Sequence, residues 1–502
     1  MKKLLYTFIA FSVFLSSCSD SFLDQKSPDT LTFDNYWKDA SAARKVLVSC
    51  YSELTFSSWT WGERSFIPQN YKGDDISMLP GSSDWAPLKT IGNFEYDSSN
   101  ETIYYLWKKS YSCIRYANDV IARLPNIPSS AITDEERNQM MSEAYFLRGY
   151  AHMLLNLQFT NIILRDKPIA SENMIQSVSS KEEAWNFIIK DLTEATKYLP
   201  VSWNDDNTGR ATKGAAYGFL GKAYLFQKNY TEAIKAFKEV MKLDYTLVDD
   251  FEGLFNGTNE NSKEVLFAIN YTIASTGGMS SYASQSSFMA TSCLKGWNMC
   301  RPSQYLIDTY LEEDATDGEY DKRLLATICF DDPKGKSTLW GKPWSGYWKP
   351  KSKKDPTIVP EVMFKKFLDT SEAISNGHSG VDVPILRYAD ILLMYAESLN
   401  ESGGSTTEIQ SSLNRVRTRA GLSNFTKSNQ SELRKEIRRQ RLLEFPAEGI
   451  RFPDLVRYGN VKQILTDHGH AYASLYAPKC DYYPIPSYEV SQNPKIEPTK
   501  GY

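Results

Sequence analysis

The chain has 502 residues, which is enough for two or three ordinary domains or for one large composite domain. Charged residues make up 24% of it, a balance typical of globular proteins that argues against disorder. A formal net charge of −4 argues against nucleic acid as the main partner. The aromatic content of 13%, with 31 Tyr and 11 Trp, is high, and many of these rings fall in loop-like stretches.

The N-terminus has the pattern of a bacterial lipoprotein signal. Two lysines precede the apolar run Leu4–Leu15, which is too short to span a bilayer as a stable anchor. The sequence LSSC, ending at Cys18, resembles a lipobox. We predict that residues 1–17 are removed and that lipid on Cys18 anchors the mature protein to a membrane. The alternative is an ordinary secretory signal followed by an incidental cysteine.

The other six cysteines show no metal-binding pattern. None belongs to a CxxC pair or to a Cys/His cluster with zinc spacing, so we predict no metal site. Cys50 and Cys113 lie in helical patterns, where a free buried thiol is the expected state. Cys293 and Cys300 are the one nearby pair, and therefore the candidate disulfide.

Helical periodicity dominates the first half of the chain. Thr133-x-x-Glu136 and Ser180-x-x-Glu183 are capping-box sequences that each predict the start of a helix. Residues 55–100 form a predicted loop rich in Gly, Ser, Pro and aromatic residues. The other helices predicted before residue 200 are Ala40–Leu54 and Glu101–Leu124.

The stretch Gly209–Lys242 has the pattern of a tetratricopeptide (TPR) helix–turn–helix. Glycines on its first helix allow close approach of a neighbouring helix, and Asn229 can cap the second helix with Glu232 bonding back. One such hairpin cannot bury its own apolar face, so other helices must stack on it. The residues that carry the pattern are Gly214, Gly218, Leu220, Gly221, Tyr224, Ala233 and Phe237.

Helical periodicity fades at 247–383, where Val265–Ile269 is the one predicted strand. An irregular stretch this long is either disordered or functional, and its tryptophans argue against disorder. An extended tail is predicted at Tyr482–Tyr502. We therefore predict a mainly α fold in which TPR-like helical pairs form a superhelix with a large irregular insertion. The helices predicted after the insertion are Pro384–Glu401, Thr406–Ala420, Ser431–Phe445 and Phe452–Leu465.

Several ordered blocks resemble the SusD/RagB family of surface nutrient-binding lipoproteins of Bacteroidetes. One block departs from the family pattern, because Pro446 falls where the family continues a helix and is expected to end that helix early. The matching blocks are Cys18–Asp24, Glu143–Arg148, Asp191–Pro200, the TPR-like hairpin, Leu386–Glu397, Asn414–Gly421 and Tyr483–Tyr502.

This resemblance implies both architecture and location. It implies four TPR-like helical pairs, a lipid-anchored position facing the cell surface, and no catalysis or cofactor. It also implies a SusC-type TonB-dependent transporter as partner, to which captured glycan is passed. The resulting regions are 1–17 (signal peptide), 18–246 (TPR-like helices with the aromatic loop), 247–383 (ligand-binding region) and 384–502 (C-terminal helices and tail).

The resemblance places the glycan surface in the early loop and in the irregular insertion. Aromatic rings can stack on the C–H faces of sugars, while charged and amide side chains can bind the hydroxyls. Each tryptophan could instead be a loop anchor packed on the helices. The predicted stacking residues are Trp59, Trp61, Trp85, Tyr282, Trp297 and Trp344, and the predicted polar contacts are Asp74, Asp75, Asn298 and Arg301.

Two other classes of function stay open at this point. A pure interaction protein could use the TPR-like pairs to dock a transporter, or could bind peptide or glycoprotein ligands. An enzyme is disfavoured, because no Gly-x-Ser-x-Gly, Walker or dinucleotide motif occurs. The acidic segment before Gly318 does not fit an EF-hand. His468 and His470 are predicted to be neighbours by chance and not metal ligands.

Overall fold

The computed structural model describes residues 36–55, 71–77, 86–276, 279–281, 289–290, 294, 296, 299–347, 362–369 and 379–502. The protein is mainly helical, as predicted. Within these ranges the α-helices are α1 (Ala40–Leu54), α2 (Ala86–Gly92), α3 (Glu101–Arg123), α4 (Asp134–Gln158), α5 (Lys181–Ala195), α6 (Lys213–Phe226), α7 (Tyr230–Met241), α8 (Gln304–Leu311), α9 (Lys322–Thr327), α10 (Tyr388–Glu401), α11 (Thr406–Arg419), α12 (Gln430–Glu444), α13 (Arg451–Tyr458), α14 (Val461–Asp467) and α15 (Ser487–Gln492).

The strands are short and pair two by two in antiparallel fashion. The pairs are β1 with β5, β2 with β10, β3 with β4, β6 with β9, and β7 with β8. Their bounds are β1 (Ile76–Ser77), β2 (Val265–Ile269), β3 (Thr272–Thr276), β4 (Met279–Ser281), β5 (Arg301–Pro302), β6 (Ile328–Cys329), β7 (Thr338–Leu339), β8 (Lys342–Pro343), β9 (Met363–Phe364) and β10 (Val383–Arg387).

Helices α1, α3 to α7 and α10 to α12 form one stacked row, which is the predicted superhelix. Helix α1 packs on α3, and each helix from α3 to α7 then packs on the next one along the chain. Helix α10 continues the row by packing on α7, and α11 and α12 pack on α10. The insertion between α7 and α10 leaves the row at β2 and returns at β10. Since these two strands pair with each other, both ends of the insertion are fixed to the scaffold.

The glycines of the TPR-like hairpin allow neighbouring elements to approach closely, as predicted. A Cβ atom on Gly221 would lie 2.4 Å from the Phe237 ring, and one on Gly218 would lie 2.6 Å from Leu386. Asn229 caps α7 by accepting the Glu232 backbone N–H at 3.3 Å. The predicted reciprocal bond is wrong, because the Glu232 carboxylate binds Lys235 at 2.7 Å instead.

Four sequence predictions of secondary structure need correction. Strand β10 occupies the start of the predicted helix Pro384–Glu401, and α2 lies inside the predicted early loop. Helix α15 lies in the tail predicted to be extended. The predicted helix Phe452–Leu465 is two helices, because Gly459 and Asn460 adopt positive φ angles of 81° and 57° that a helix cannot contain. The early end expected from Pro446 is confirmed, since α12 ends at Glu444.

Eight charged side chains lie together inside the protein and are shielded from solvent. They are four cations and four anions, so this buried ionic cluster has no formal net charge. A buried charge without a partner is strongly destabilising, and each member here pairs with at least one charge of opposite sign. The members are Arg323, Lys366, Arg387, Arg419, Glu264, Asp321, Glu444 and Glu448.

Arg387, at the end of β10, binds three of these carboxylates. Its Nη1 donates to Glu264 at 2.7 Å and to Glu444 at 2.9 Å. Its Nε and Nη2 donate to the two oxygens of Glu448 at 2.9 and 2.7 Å. Burial alone would raise the pKa of Glu444, but three surrounding guanidinium groups hold that pKa well below its usual value.

The insertion contributes four members of the buried ionic cluster, namely Glu264, Asp321, Arg323 and Lys366. Arg323 donates to Asp321 at 2.6 Å and to Glu444 on α12 at 3.2 Å. Lys366 donates to Glu448 at 2.6 Å. The cluster therefore fixes the insertion against the C-terminal helices.

Within the described ranges, no helix combines the length and apolar character needed to cross a bilayer.

We expect Arg387→Ala to lower the free energy of unfolding by about 3–5 kcal/mol, because it leaves three buried carboxylates incompletely paired. Urea unfolding followed by circular dichroism measures this loss. The matched control is Arg44→Ala, whose side chain is 51% exposed and pairs with Glu136. That change should cost about 1 kcal/mol or less. Equal losses in the two variants would show that the cluster is not a major source of stability.

Candidate functional site

The early loop and the insertion meet at the β1–β5 pair. Ile76 lies opposite Pro302, and Ser77 lies opposite Arg301. The Ser303 backbone N–H donates to the Asp75 carbonyl at 3.0 Å, and the Ser303 hydroxyl donates to the Asp74 carbonyl at 2.6 Å. The two regions that the sequence predicts to form one surface are therefore in direct contact. We call this contact the loop junction.

An open cavity of about 420 Å³ lies beside the loop junction. Its wall combines aromatic rings with carboxylate, hydroxyl and amide groups, which is the chemistry that sugar rings and their hydroxyls require. It draws on β1, on α8 and on the segment after α14. The side chains used below are Asp74, Tyr305, Asp308, His468, His470 and Tyr472.

Asp74 is buried at the back of this cavity and is held by two basic groups. The Arg451 guanidinium donates to both carboxylate oxygens, at 2.6 and 2.7 Å. The His468 Nδ1 lies 2.6 Å from Oδ2 of the same carboxylate. Burial alone would raise the pKa of Asp74, but Arg451 and His468 hold it well below its usual value. Asp74 is thus an ionised anchor that orients the His468 ring.

Tyr305 and His468 form a stacked aromatic platform. Their ring centroids are 3.7 Å apart and the ring planes differ by 10°. Ser303 caps α8 by accepting the Leu306 N–H at 3.1 Å, and this sets Tyr305 and Asp308 at spacing i, i+3 on the same helical face. Asp308 is exposed, and the His468 side chain is 23% exposed. The platform therefore has a carboxylate beside it that solvent can reach.

Asp75 lies deeper than Asp74 and is 1% exposed. Its Oδ2 accepts the Ala447 backbone N–H at 3.1 Å, whereas its Oδ1 has no partner. Burial, together with the neighbouring charge of Asp74, raises the pKa of Asp75 to about 7. A carboxyl group in this position supports the loop junction from inside and is closed to a ligand in solution.

The other predicted site residues are not all brought together. Arg301 is half-buried in β5, at the loop junction. Trp344 lies apart from the cavity wall in the turn after β8, is 1% exposed, and packs on Tyr347 with ring centroids 5.8 Å apart. Cys300 is a buried free thiol, which contradicts the candidate disulfide with Cys293. The residues outside the described ranges are Cys18, Trp59, Trp61, Trp85, Tyr282, Cys293, Trp297 and Asn298.

Of the side chains used above, Asp74 was predicted from the sequence as a polar contact, whereas Tyr305, Asp308, His468, His470 and Tyr472 were not. The Asp74–His468 pair joins positions 394 residues apart, which no local pattern shows. Tyr305 and Asp308 lie on a short helix inside a stretch without clear periodicity. No role was predicted for His468, which stacks on Tyr305 and contacts Asp74. Among the described residues, no group of three or more His, Cys, Asp or Glu side chains is arranged to hold an ion.

His470 is the second histidine of the wall and is kept neutral. Its Nδ1 accepts the Tyr472 backbone N–H at 3.3 Å, and its ring lies 5.5 Å from the Phe94 ring. Burial lowers the pKa of His470 to about 4, against the partial opposition of the nearby Asp74 carboxylate. Protonation of this ring would remove the acceptor and place a charge among aromatic side chains.

Acidification should therefore weaken the fold through His470. The folded pKa of about 4 is below the ordinary value of 6.5, so the folded state binds fewer protons than the unfolded chain between these values. We expect this residue to cost about 2 kcal/mol of unfolding free energy between pH 7 and pH 4.5. Urea unfolding at several pH values should show a shallower acid decline for His470→Phe. Parallel declines in the two proteins would refute this assignment.

Comparison with known proteins gives a consistent family assignment. Residues 263–502 match the family described as the SusD family. Residues 21–225 match the family described as starch-binding, associating with outer membrane. SusD-like protein P2 of Formosa agariphila is 26% identical to this chain, and the match covers 100% of both chains.

Solved structures share the fold. A SusD superfamily protein from Bacteroides vulgatus superposes with a TM-score of 0.82 at 24% identity, covering 93% of this chain and 100% of that one. A laminarin-binding SusD-like protein superposes with a TM-score of 0.75 at 26% identity, again covering 93% and 100% of the two chains.

Proposed function

Because this chain belongs to the SusD/RagB family, we propose that it captures glycans at the surface of the outer membrane and passes them to a SusC-type TonB-dependent transporter. The observation that carries this proposal is the cavity at the loop junction, where a stacked platform and a carboxylate face solvent. The proposed activity is binding and transfer, without a chemical step on the glycan.

The platform suits a sugar ring for a physical reason. The C–H face of a pyranose packs on a flat aromatic ring, and a ring already stacked on a second ring loses little further freedom on binding. Tyr305 is fixed in this way by His468, which is itself fixed by Asp74. Asp308 can then accept hydrogen bonds from hydroxyl groups at the edge of the sugar. Together these groups provide one stacking contact and one directional contact.

The predicted aromatic residues adjoin this cavity in sequence. Trp59 and Trp61 follow α1, Trp85 directly precedes α2, and Trp297 and Asn298 directly precede the segment that leads into β5. We propose that they extend the platform into a longer glycan surface on both sides of the loop junction. A polysaccharide needs several such contacts, because each stacked ring contributes only about 0.5–1.5 kcal/mol beyond its buried area.

The remaining predicted contacts divide into two groups. We retain Arg301 and Tyr282 as proposed glycan contacts, because Arg301 lies in β5 and Tyr282 lies in the insertion. Trp344 is covered by its neighbours in this structure, so its ring face is not available for stacking. Its proposed role, like that of the buried Asp75, is to support the surrounding turns.

Affinity gel electrophoresis with a panel of soluble polysaccharides, including laminarin and starch, tests the site. We expect at least one polysaccharide to retard the protein. The combined change Trp59→Ala, Trp85→Ala and Trp297→Ala should abolish this retardation. Asp308→Ala should weaken it by about tenfold or more, which is the loss expected for a hydrogen bond to an ionised group.

The matched control for Asp308→Ala is Asp244→Ala, an aspartate whose side chain is 83% exposed and which does not line this cavity. It should leave retardation unchanged. Retardation of the triple tryptophan variant equal to that of the wild type would sink the site assignment. Failure of the whole panel to retard the wild-type protein would count against glycan binding itself.

We further propose that lipid on Cys18 holds the protein on the outer membrane. The support is the LSSC sequence before this residue, together with the family match that names outer-membrane association. Several acyl chains anchor stably, because each buried CH₂ group contributes about 0.8 kcal/mol.

Cys18→Ala should release the protein from the membrane fraction of cells that express it. Fractionation followed by immunoblotting measures this release, and Ser19→Ala, one residue away, is the control that should stay with the membrane. If Cys18→Ala stays in the membrane fraction like the control, then the anchor is not lipid on this cysteine.

A further inference from the structure

A second site lies in a groove between the superhelix and α13. It has two adjoining compartments that share Leu157, Phe226 and Pro453. The smaller compartment, of about 80 Å³, has a mainly apolar wall, and this volume suits one branched aliphatic side chain. The larger compartment, of about 650 Å³, has a polar wall that includes both side-chain amides and cations. None of the residues that form the groove lines the cavity at the loop junction.

Two lysines of the polar compartment, Lys181 and Lys228, form no ion pair with a described carboxylate. Lys181 donates to the Asn156 and Phe159 carbonyls and lies 3.8 Å from the Tyr482 ring centroid, but it forms no ion pair with any described residue. Lys228 is exposed on the turn between α6 and α7 and likewise has no ionic partner among the described residues. Burial lowers the pKa of Lys181 to about 7.

The other charged groups of the groove add little to the net charge of the polar compartment. Arg457 is held by Glu397 and by Asp454, the latter at 2.8 Å. Glu182 is exposed at the rim of the polar compartment. Two unpaired lysines against one exposed glutamate leave the compartment suited to an anionic group.

One buried acceptor in the same compartment lacks a donor. Asn156 is 1% exposed and lines the polar compartment, yet its Oδ1 has no hydrogen-bond partner. Leaving such an acceptor unpaired costs about 1–3 kcal/mol, so a ligand with an N–H group would gain by pairing with it. A fatty acid could place its carboxylate near the lysines, but it has no N–H donor. A peptide terminus has both groups.

We propose that this groove binds the C-terminal end of a partner polypeptide that finishes in an aliphatic residue. The final side chain occupies the apolar compartment. The terminal carboxylate faces Lys181 and Lys228, and the last backbone N–H faces Asn156. This site is independent of the proposed glycan function, since the two cavities share no residue.

Fluorescence polarisation of a labelled hexapeptide, Gly-Ser-Gly-Ala-Val-Leu, tests the proposal with the full protein. We expect the free-acid peptide to bind and its C-terminal amide to bind about tenfold or more weakly, because the charge that faces the lysines is lost. A third peptide that ends in Ser should also bind more weakly, because the apolar compartment stays unfilled.

Two variants locate the binding. Lys228→Glu should weaken the free-acid peptide, whereas Lys190→Glu, an exposed lysine on α5 that does not line the groove, should not. Leu154→Trp should weaken binding by filling the apolar compartment. Neither groove variant should alter polysaccharide retardation in the affinity gel, which separates this proposal from the glycan site.

Equal binding of the acid and the amide would overturn the proposal, and so would equal effects of Lys228→Glu and Lys190→Glu. It would also be overturned if the acid did not bind at a concentration of about 1 mM, which corresponds to a binding free energy of about −4 kcal/mol. Displacement of the peptide by decanoate at equal or lower concentration would assign the groove to a fatty acid instead.

Discussion

The buried ionic cluster around Arg387 is the constraint on which the rest of the structure depends. Charges removed from water are tolerated only when all their partners are in place, because each missing partner leaves an uncompensated charge in a medium of low dielectric. The partners here come from the insertion, from β10 and from the C-terminal helices. The described part of the irregular insertion is therefore fixed on the superhelix, although regular secondary structure makes up only short segments of that part.

This constraint extends to the proposed glycan cavity. Helix α12, which ends at Glu444 in the cluster, also accepts a hydrogen bond from the Tyr310 hydroxyl through the Leu443 carbonyl at 2.5 Å. Tyr310 lies on α8, the helix that presents Tyr305 and Asp308 to the cavity. The aromatic platform is thus held by two sets of contacts, one through α8 and the other through the Asp74–His468 pair. Binding to a fixed platform avoids the entropy of ordering it, which is the physical basis of preorganised recognition.

One short segment lies between the two proposed binding sites. Glu448 belongs to the buried ionic cluster and also touches the apolar compartment of the groove, and Pro453 is shared by both compartments of that groove. Arg451, which lies between Glu448 and Pro453 in sequence, does not point to the groove but pairs with Asp74 at the loop junction. The turn after α12 therefore separates a surface suited to sugars from a groove suited to a peptide terminus. Pro446 prevents α12 from continuing past Glu444, so the chain turns at this point.

The sequence by itself determined the local structure and the family. Caps such as Ser180, apolar periodicity and the TPR-like spacing act within one or two helical turns, so most of the superhelix was predicted from them. Only the tertiary structure decided the contacts between distant residues, namely the Arg387 cluster and the Asp74–His468 pair. It also decided that Trp344 is buried. Composition shows that a loop holds a tryptophan, but not which face of the ring its neighbours cover. Charge pairing acts through space and leaves no periodic pattern in the chain, which is why the cavity wall had to be found in three dimensions.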